Sequence, residues 1–429
     1  MEQVKSLDPK VVYGPIIGNR WIQLASAVLG MIMIANCQYA WTLFVPALQG
    51  AFGWSLGAVQ LGFTMFIAFE TYTMPVEGYL LDRFGPRMLF TAAGFMVGIG
   101  WTALGFITSL PGLYFFYGLA GAGAGIIYSG SIAVAIRWFS DRRGLASGII
   151  AAGFGAGSAP FIPFIGWLLS AYGYEQAFLV TGIMPGVIIL GVAQILKYPP
   201  GDTGAHAVAA AKADPNRGFS PLEMLKTPQF YLIYMMFICM VTSGLLITAQ
   251  TKPFAKDIGI AAYVVIIAVT VDRVSNGLGR IVVGGISDKL GRENTMFVDF
   301  VLCGIFTALM PIVGTTSVTF IALLFLMMLT WGPLFSLFPS LTADRYGTTY
   351  AATNYGIVYT AKGFGGIFGG VVAGYLVTTA GWTAIFMTAG FTCVLAGLGA
   401  LILKRIPKPV RKSFTDECPV CELGDQKSK

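Results

Sequence analysis

Residues Ala384 to Leu403 form a run of twenty residues without one charged side chain. A run of that length crosses the roughly 30 Å hydrocarbon core of a bilayer as a helix. Comparable runs recur along the whole chain, and they are too long and too uniformly apolar for the alternating segments of about ten residues that build a membrane β-barrel. Only 11% of residues are charged and the mean hydropathy is +0.74, whereas soluble domains carry about 25% charged residues. A soluble fold is excluded, and the spans are expected to be helices.

Apolar runs fall near 21-49, 57-81, 88-110, 112-137, 144-171, 176-197, 228-252, 260-286, 294-313, 318-341, 348-378 and 382-403. They are numbered here as spans 1 to 12. The tails, the middle loop and the even-numbered joins hold twenty-two Lys and Arg; the odd joins hold two, Lys252 and Lys256. Such asymmetry places both termini in the cytoplasm. The net charge of +7 is thereby explained without nucleic acid, because the cations sit in clusters between spans rather than along one stripe. The first run follows a polar stretch, contains Asn36, Gln38 and Tyr39, and reads as a retained helix rather than a cleaved leader.

The polar stretch from Lys197 to Thr227, rich in Pro, Gly and Ala, reads as a linker between two bundles. The expected organisation is a six-helix bundle over 1-197, a linker over 198-227, a second six-helix bundle over 228-404 and a cytoplasmic tail over 405-429. Ser220-Pro221-Leu222-Glu223 is a capping box that starts a short helix. His206 in the linker reads as a solvated histidine, and Cys418 and Cys421 in the tail as a free, reduced pair. No metal or other cofactor is expected.

The halves repeat. Gly78-Tyr79-Leu80-Leu81-Asp82-Arg83-Phe84-Gly85-Pro86-Arg87 matches Gly284-Gly285-Ile286-Ser287-Asp288-Lys289-Leu290-Gly291-Arg292. Asp141-Arg142-Arg143-Gly144 matches Asp344-Arg345-Tyr346-Gly347, and Gly153-Phe154-Gly155 matches Gly363-Phe364-Gly365. Three matches in one order indicate a duplication. In these motifs the chain resembles the major facilitator superfamily, with Pro86 departing from a position that is usually basic. The resemblance implies an all-α membrane protein with twelve transmembrane helices in two pseudo-symmetric six-helix bundles. It also implies a gate at the cytoplasmic ends made by Asp82, Arg83, Arg87, Asp288, Lys289 and Arg292.

A charge at mid-bilayer costs at least about 2.5–3.5 kcal/mol, so intramembrane ions are functional candidates. Span 2 carries Glu70 and Glu77, span 8 carries Asp272, Arg273 and Arg280, span 9 carries Asp299 and span 11 carries Lys362. The aligned halves place Met74 opposite Arg280 and Ala152 opposite Lys362, so the scaffold itself needs no cation there. Two such cations on different helices suit an anionic substrate. The competing reading pairs Arg280 or Lys362 with Glu70 or Asp272 in a structural salt bridge. Arg273, Asn276, Gly277 and Arg280 share one face of span 8.

Aromatics crowd the same levels: Tyr39, Tyr128, Trp331, Phe335 and Tyr359. With Gln38 they can enclose a small planar carboxylate that the cations neutralise. Gln38-Tyr39-Ala40-Trp41-Thr42-Leu43, the stretch from Arg137 to Gly148, Thr330-Trp331-Gly332 and Asn354-Tyr355-Gly356 are similar to the bacterial oxalate:formate antiporter family. So are Leu225 to Phe230 and the places of Arg280 and Lys362. The resemblance implies exchange of small carboxylates, with binding roles for Arg280, Lys362, Gln38, Tyr39, Tyr128 and Trp331. Tyr would be expected at Phe335 and Trp at Tyr359, and no ions at Glu70, Asp272 or Arg273.

Those three ions, with Asn276, are candidates for coupling or selectivity. The wider relatives include proton-coupled monocarboxylate symporters with an Asp where Asn276 stands. Asn276 carries no proton, so Glu70 would take over that task. The spans hold no histidine, paired aspartates or activated nucleophile, so no enzyme is expected. The expected setting is a bacterial inner membrane, with a monomer embedded in lipid.

Overall fold

A computed structural model describes residues 18–200 and 218–409, without the side chains of residues 249 and 367–379. His206, Cys418 and Cys421 lie outside the described residues, as do parts of the expected linker and tail. Among the described residues every regular element is a helix. Eight helical stretches are long and apolar enough to cross a membrane. One of these, Arg143–Ile195, holds spans 5 and 6, which meet at Gly173. Spans 2 and 11 carry ionisable residues and are interrupted, and span 3 is a helix of only 18 residues, Pro86–Ala103. Adding these three and dividing the merged stretch accounts for twelve spans.

The duplication extends to backbone geometry. Spans 5 and 6 turn at Gly173 with φ +81°, and spans 11 and 12 turn at Gly381 with φ +74°. The repeated motifs close spans 2 and 8 at Gly85 and Gly291, with φ +82° and +86°. A side chain at such φ values is strained, so each glycine permits a sharp reversal between packed helices. The capping box forms as the sequence indicates: Ser220 and Glu223 cap the five-residue helix Pro221–Leu225, which precedes span 7, Pro228–Asp257.

Five spans are not continuous, which their apolar pattern does not reveal. Span 1 divides into Arg20–Tyr39 and Trp41–Phe52, span 2 into Leu56–Tyr72 and Met74–Phe84, and span 10 into Ser317–Trp331 and Leu334–Tyr346. Span 5 is interrupted after Arg143–Gly157, and span 11 divides after Ala351–Tyr359, resuming at Ala361. Gly332 and Pro333 explain the break in span 10. Tyr39, Trp331 and Tyr359 each end a helical piece, and Lys362 lies in the first turn of the next. Non-helical backbone at membrane depth is tolerated where protein covers it or it lines a cavity.

Glycines set the closest crossings, among them Gly121 in the glycine-rich run of span 4. A Cβ on Gly121 would collide with the carbonyl oxygen of Phe66 in span 2. Between the halves, Gly144 meets Gly284, Gly148 meets the backbone of Arg280, and Gly78 lies against Ala352 and Thr353. These contacts pair span 5 with span 8 and span 2 with span 11.

Candidate functional site

At the end of the molecule that carries the repeated motifs, each motif aspartate caps a helix of the opposite half. Asp82 accepts hydrogen bonds from the backbone N–H groups of Thr353 (2.9 Å) and Ala352 (3.3 Å) and from the Thr353 hydroxyl (2.6 Å). Asp288 accepts from the N–H groups of Gly144 and Leu145, both at 2.9 Å. A carboxylate satisfies donors that a helix start leaves open and meets the positive end of the helix dipole.

Guanidinium groups complete the network. Arg137 reaches Asp82 at 2.6 Å and the Thr349 carbonyl at 2.9 Å. Arg292 joins Asp288 at 2.5 Å and Asp344 at 2.9 Å, and Arg143 joins Asp344 at 2.6 Å across the halves. Of the six residues singled out for a gate, Asp82, Asp288 and Arg292 enter this network. The other three do not bridge the halves: Arg87 bonds Gln194 of its own half, Arg83 lies beside Tyr79 and over Phe84, and Lys289 is exposed. Arg143 and Asp344 were legible only as parts of a repeated motif, and Arg137 only within the stretch similar to the antiporter family, none of them as partners. A cavity of about 240 Å³ lies in this region, lined in part by Asp288, Arg292, Glu293 and Asp344. None of the candidate substrate residues lines it.

The halves are thus closed on each other at this end. Replacing Gly78 by Val forces a branched side chain into a place where even a Cβ would lie 2.6 Å from the Ala352 carbonyl. Overpacking of this kind costs about 1–3 kcal/mol, which shifts the population away from the closed conformer by about five- to more than a hundredfold. A reporter is available at Ser340, whose hydroxyl contacts that of Ser147 across the halves at 3.3 Å. Alkylation of a Ser340→Cys thiol is expected to accelerate in Gly78→Val by at least about fivefold; an unchanged rate would show that this crossing does not hold the gate.

Deeper in the molecule, the two cations differ. Arg280 lies ten residues before the end of its helix at Leu290, about 15 Å along the axis. It is only 2% exposed. Its Nη1 donates to the Ala151 carbonyl of span 5 at 2.6 Å, and its guanidinium carbon lies 4.7 Å from the centre of the Phe335 ring. Its Nε has no hydrogen-bond partner, and no carboxylate among the described residues forms an ion pair with it.

Lys362, 7% exposed, is in contrast already paired. Its Nζ donates to both oxygens of Glu70, at 3.0 and 3.3 Å, and to the Tyr359 hydroxyl at 2.9 Å. The competing salt-bridge reading therefore applies to Lys362 in this conformer and not to Arg280. Glu70 is 0% exposed. Removing either partner leaves an uncompensated buried charge, which is strongly unfavourable.

The remaining candidates gather around these groups. Tyr128 lies 4.8 Å from Tyr359 and 5.3 Å from Phe154, and Tyr39 lies 5.4 Å from Phe154, ring centre to ring centre. Phe335 stands between Trp331 (5.5 Å) and Tyr359 (6.2 Å). The Trp331 indole N–H is held by the Met240 carbonyl at 2.8 Å. Gln38 Oε1 and Asn276 Oδ1 are buried without hydrogen-bond partners among the described residues. Arg273 pairs loosely with Asp272 at 3.8 Å and lies over the Tyr39 ring at 5.2 Å. On span 5, Ala151 had not been singled out from sequence, and Phe154 only within the repeated Gly153-Phe154-Gly155.

Two repeated six-helix halves, closed at one end by mutual helix caps and carrying buried cations between them, define a multi-pass membrane transporter. Residues 26–370 match the Major Facilitator Superfamily. The chain is 39% identical over 399 residues to the oxalate:formate antiporter of Oxalobacter formigenes, covering 92% of this chain and 94% of that protein. It belongs to the Major Facilitator Superfamily. Monocarboxylate transporter 13 of Rattus norvegicus is 26% identical over 387 residues, 89% of this chain and 88% of its own length. Among solved structures, the proton:xylose symporter XylE superposes with a TM-score of 0.73 at 16% identity, over 93% of this chain and 98% of that one. The E. coli fucose:proton symporter FucP gives 0.71 at 13% identity, over 89% and 98%. These two likenesses concern the fold alone.

Proposed function

We infer that this protein exchanges small carboxylate anions by alternating access, oxalate against formate. The observation that carries the reading is Arg280: a buried guanidinium without a carboxylate requires an anion, and two of its donor nitrogens remain to hold one in a planar fork. Lys362 supplies the second cation when the substrate has two charges. Gln38, Tyr39, Tyr128, Trp331, Phe335 and Tyr359 enclose the ligand, and Glu70, Asp272, Arg273 and Asn276 set its valence or coupling. The 39% identity to an oxalate:formate antiporter supports the same substrate class.

In this reading the closed end faces the cytoplasm with both termini, in a bacterial inner membrane. The halves 1-197 and 228-404 rock about the site, and the network of Asp82, Asp288, Arg292 and their partners opens and re-forms in each cycle. The protein acts as a monomeric carrier, not an enzyme, without cofactor or nucleic acid. A second reading, proton-coupled monocarboxylate symport, has the Glu70–Lys362 pair in its favour, since it puts a titratable group beside a substrate cation. Counterflow of labelled oxalate, formate and lactate in proteoliposomes separates the two. Exchange of oxalate and formate without a pH gradient is the expected result, and lactate uptake that requires an inward proton gradient would reject it.

A further inference from the structure

We propose that Glu70 is a tethered counter-anion that holds the substrate's place at Lys362, and that a dianion displaces it with uptake of one proton whereas a monoanion leaves it in place. The proposal rests on the carboxylate reading above. It starts from an asymmetry: of the two cations in the site, Lys362 has a carboxylate at 3.0 Å and Arg280 has none among the described residues. Glu70 comes from the opposite half, 292 positions away in sequence, so the pair forms only when spans 2 and 11 meet.

A monocarboxylate needs one cation, and the free donors of Arg280 suffice. The Glu70–Lys362 pair then stays intact and the charges balance without a proton. A dicarboxylate such as oxalate reaches both cations, because its two carboxylates are directly bonded and each seeks a donor. When its second carboxylate accepts a hydrogen bond from Lys362 Nζ, the contact from Nζ to Glu70 breaks. Two unpaired carboxylates side by side in a buried site repel each other and are poorly solvated. One proton from bulk water then binds a Glu70 oxygen, which restores neutrality: two cations against one dianion, with Glu70 uncharged. On release at the other face the proton leaves and the pair with Lys362 re-forms. Inward oxalate with one proton then carries the same net charge as outward formate.

The groups facing Glu70 leave it the natural proton carrier. They are Lys362, Tyr355 and Tyr359 on span 11, Tyr117 and Tyr128 on span 4, and Glu77 two turns along its own span. Phenols ordinarily ionise near pH 10, and a lysine contact is what the substrate replaces. Glu77 is held by the Thr73 hydroxyl and touches no cation among the described residues. Asn276, on the face of span 8 that carries Arg280, cannot hold a proton.

The test is titration calorimetry of the purified full-length protein with oxalate and with formate, in buffers of different ionisation enthalpy, which counts protons bound per ligand. One proton per oxalate and none per formate are expected in the wild type. Oxalate affinity should weaken by about tenfold per unit rise of pH where the proton is taken up, with formate affinity flat. Glu70→Gln should abolish the proton and the pH dependence and raise the preference for oxalate over formate. Glu70→Asp should retain the proton, and Glu77→Gln should leave it unchanged. Equal proton counts for the two ligands in the wild type overturn the proposal without recourse to any variant, as does an oxalate-linked proton that survives Glu70→Gln. Binding of neither anion to the wild type would overturn the carboxylate reading itself, and this inference with it.

Discussion

Arg280→Lys is expected to reduce carboxylate exchange by about ten- to a hundredfold while leaving the protein inserted and folded. The guanidinium spends one nitrogen on the Ala151 carbonyl and still offers a planar pair of donors. An ammonium is a compact point charge that cannot reproduce that fork. A hydrogen bond to a charged group is worth about 1.5–3 kcal/mol, which sets the range. Lys362→Ala is expected to do more damage, because it also strands Glu70, which is 0% exposed. Breaking a buried pair from one side costs about 3–5 kcal/mol. The double variant Lys362→Ala with Glu70→Gln should recover the lost stability, read as melting temperature in detergent, but not oxalate transport. Near-normal counterflow in either single variant, measured per correctly inserted molecule, would remove that residue from the substrate site.

The second large effect concerns the empty carrier. Exchange is expected to exceed net uptake by about a thousandfold, because returning without an anion means carrying an uncompensated Arg280 through a closed, dehydrated intermediate. Each such charge raises the barrier by several kcal/mol, and about 4 kcal/mol corresponds to that factor. Lys362 adds nothing to this barrier in the wild type, since Glu70 neutralises it. In Glu70→Gln both cations travel bare, so net uptake into buffer-filled vesicles should fall further while uptake into substrate-filled vesicles persists. Comparing initial rates of labelled oxalate in the two vesicle preparations measures this directly. Equal rates, stimulated by an inward proton gradient, would reject exchange in favour of symport.

Span number, the sidedness of charge, the duplication and the identity of Arg280 and Lys362 as intramembrane cations were all legible in the sequence. Each follows from a local property: the apolar length that a bilayer demands, the cost of a charge inside it, or a motif repeated in order. The partners of those cations were not. Periodicity places Arg280 on a face of span 8 but says nothing of the rotation that turns it toward Ala151 and Phe335. The pairing of Lys362 with Glu70 appeared from sequence only as one of several possible salt bridges.

The gate shows the same division. Asp82 and Asp288 stood out because their motifs repeat, and the basic residues beside them were assigned to the same gate. In the structure the aspartates cap helices of the opposite half, while Arg137, Arg143 and Arg292 supply the charge and Arg83, Arg87 and Lys289 turn elsewhere. The breaks at Ala40 and Thr360 were hidden as well, since no residue there obliges a helix to stop, whereas Pro75 accounts for the one at Thr73. Sequence alone determined which groups must be buried in the membrane, because desolvation and span length act on each segment separately. Only the tertiary structure decided which of those groups neutralise each other, because that depends on the rotation and register of helices hundreds of residues apart.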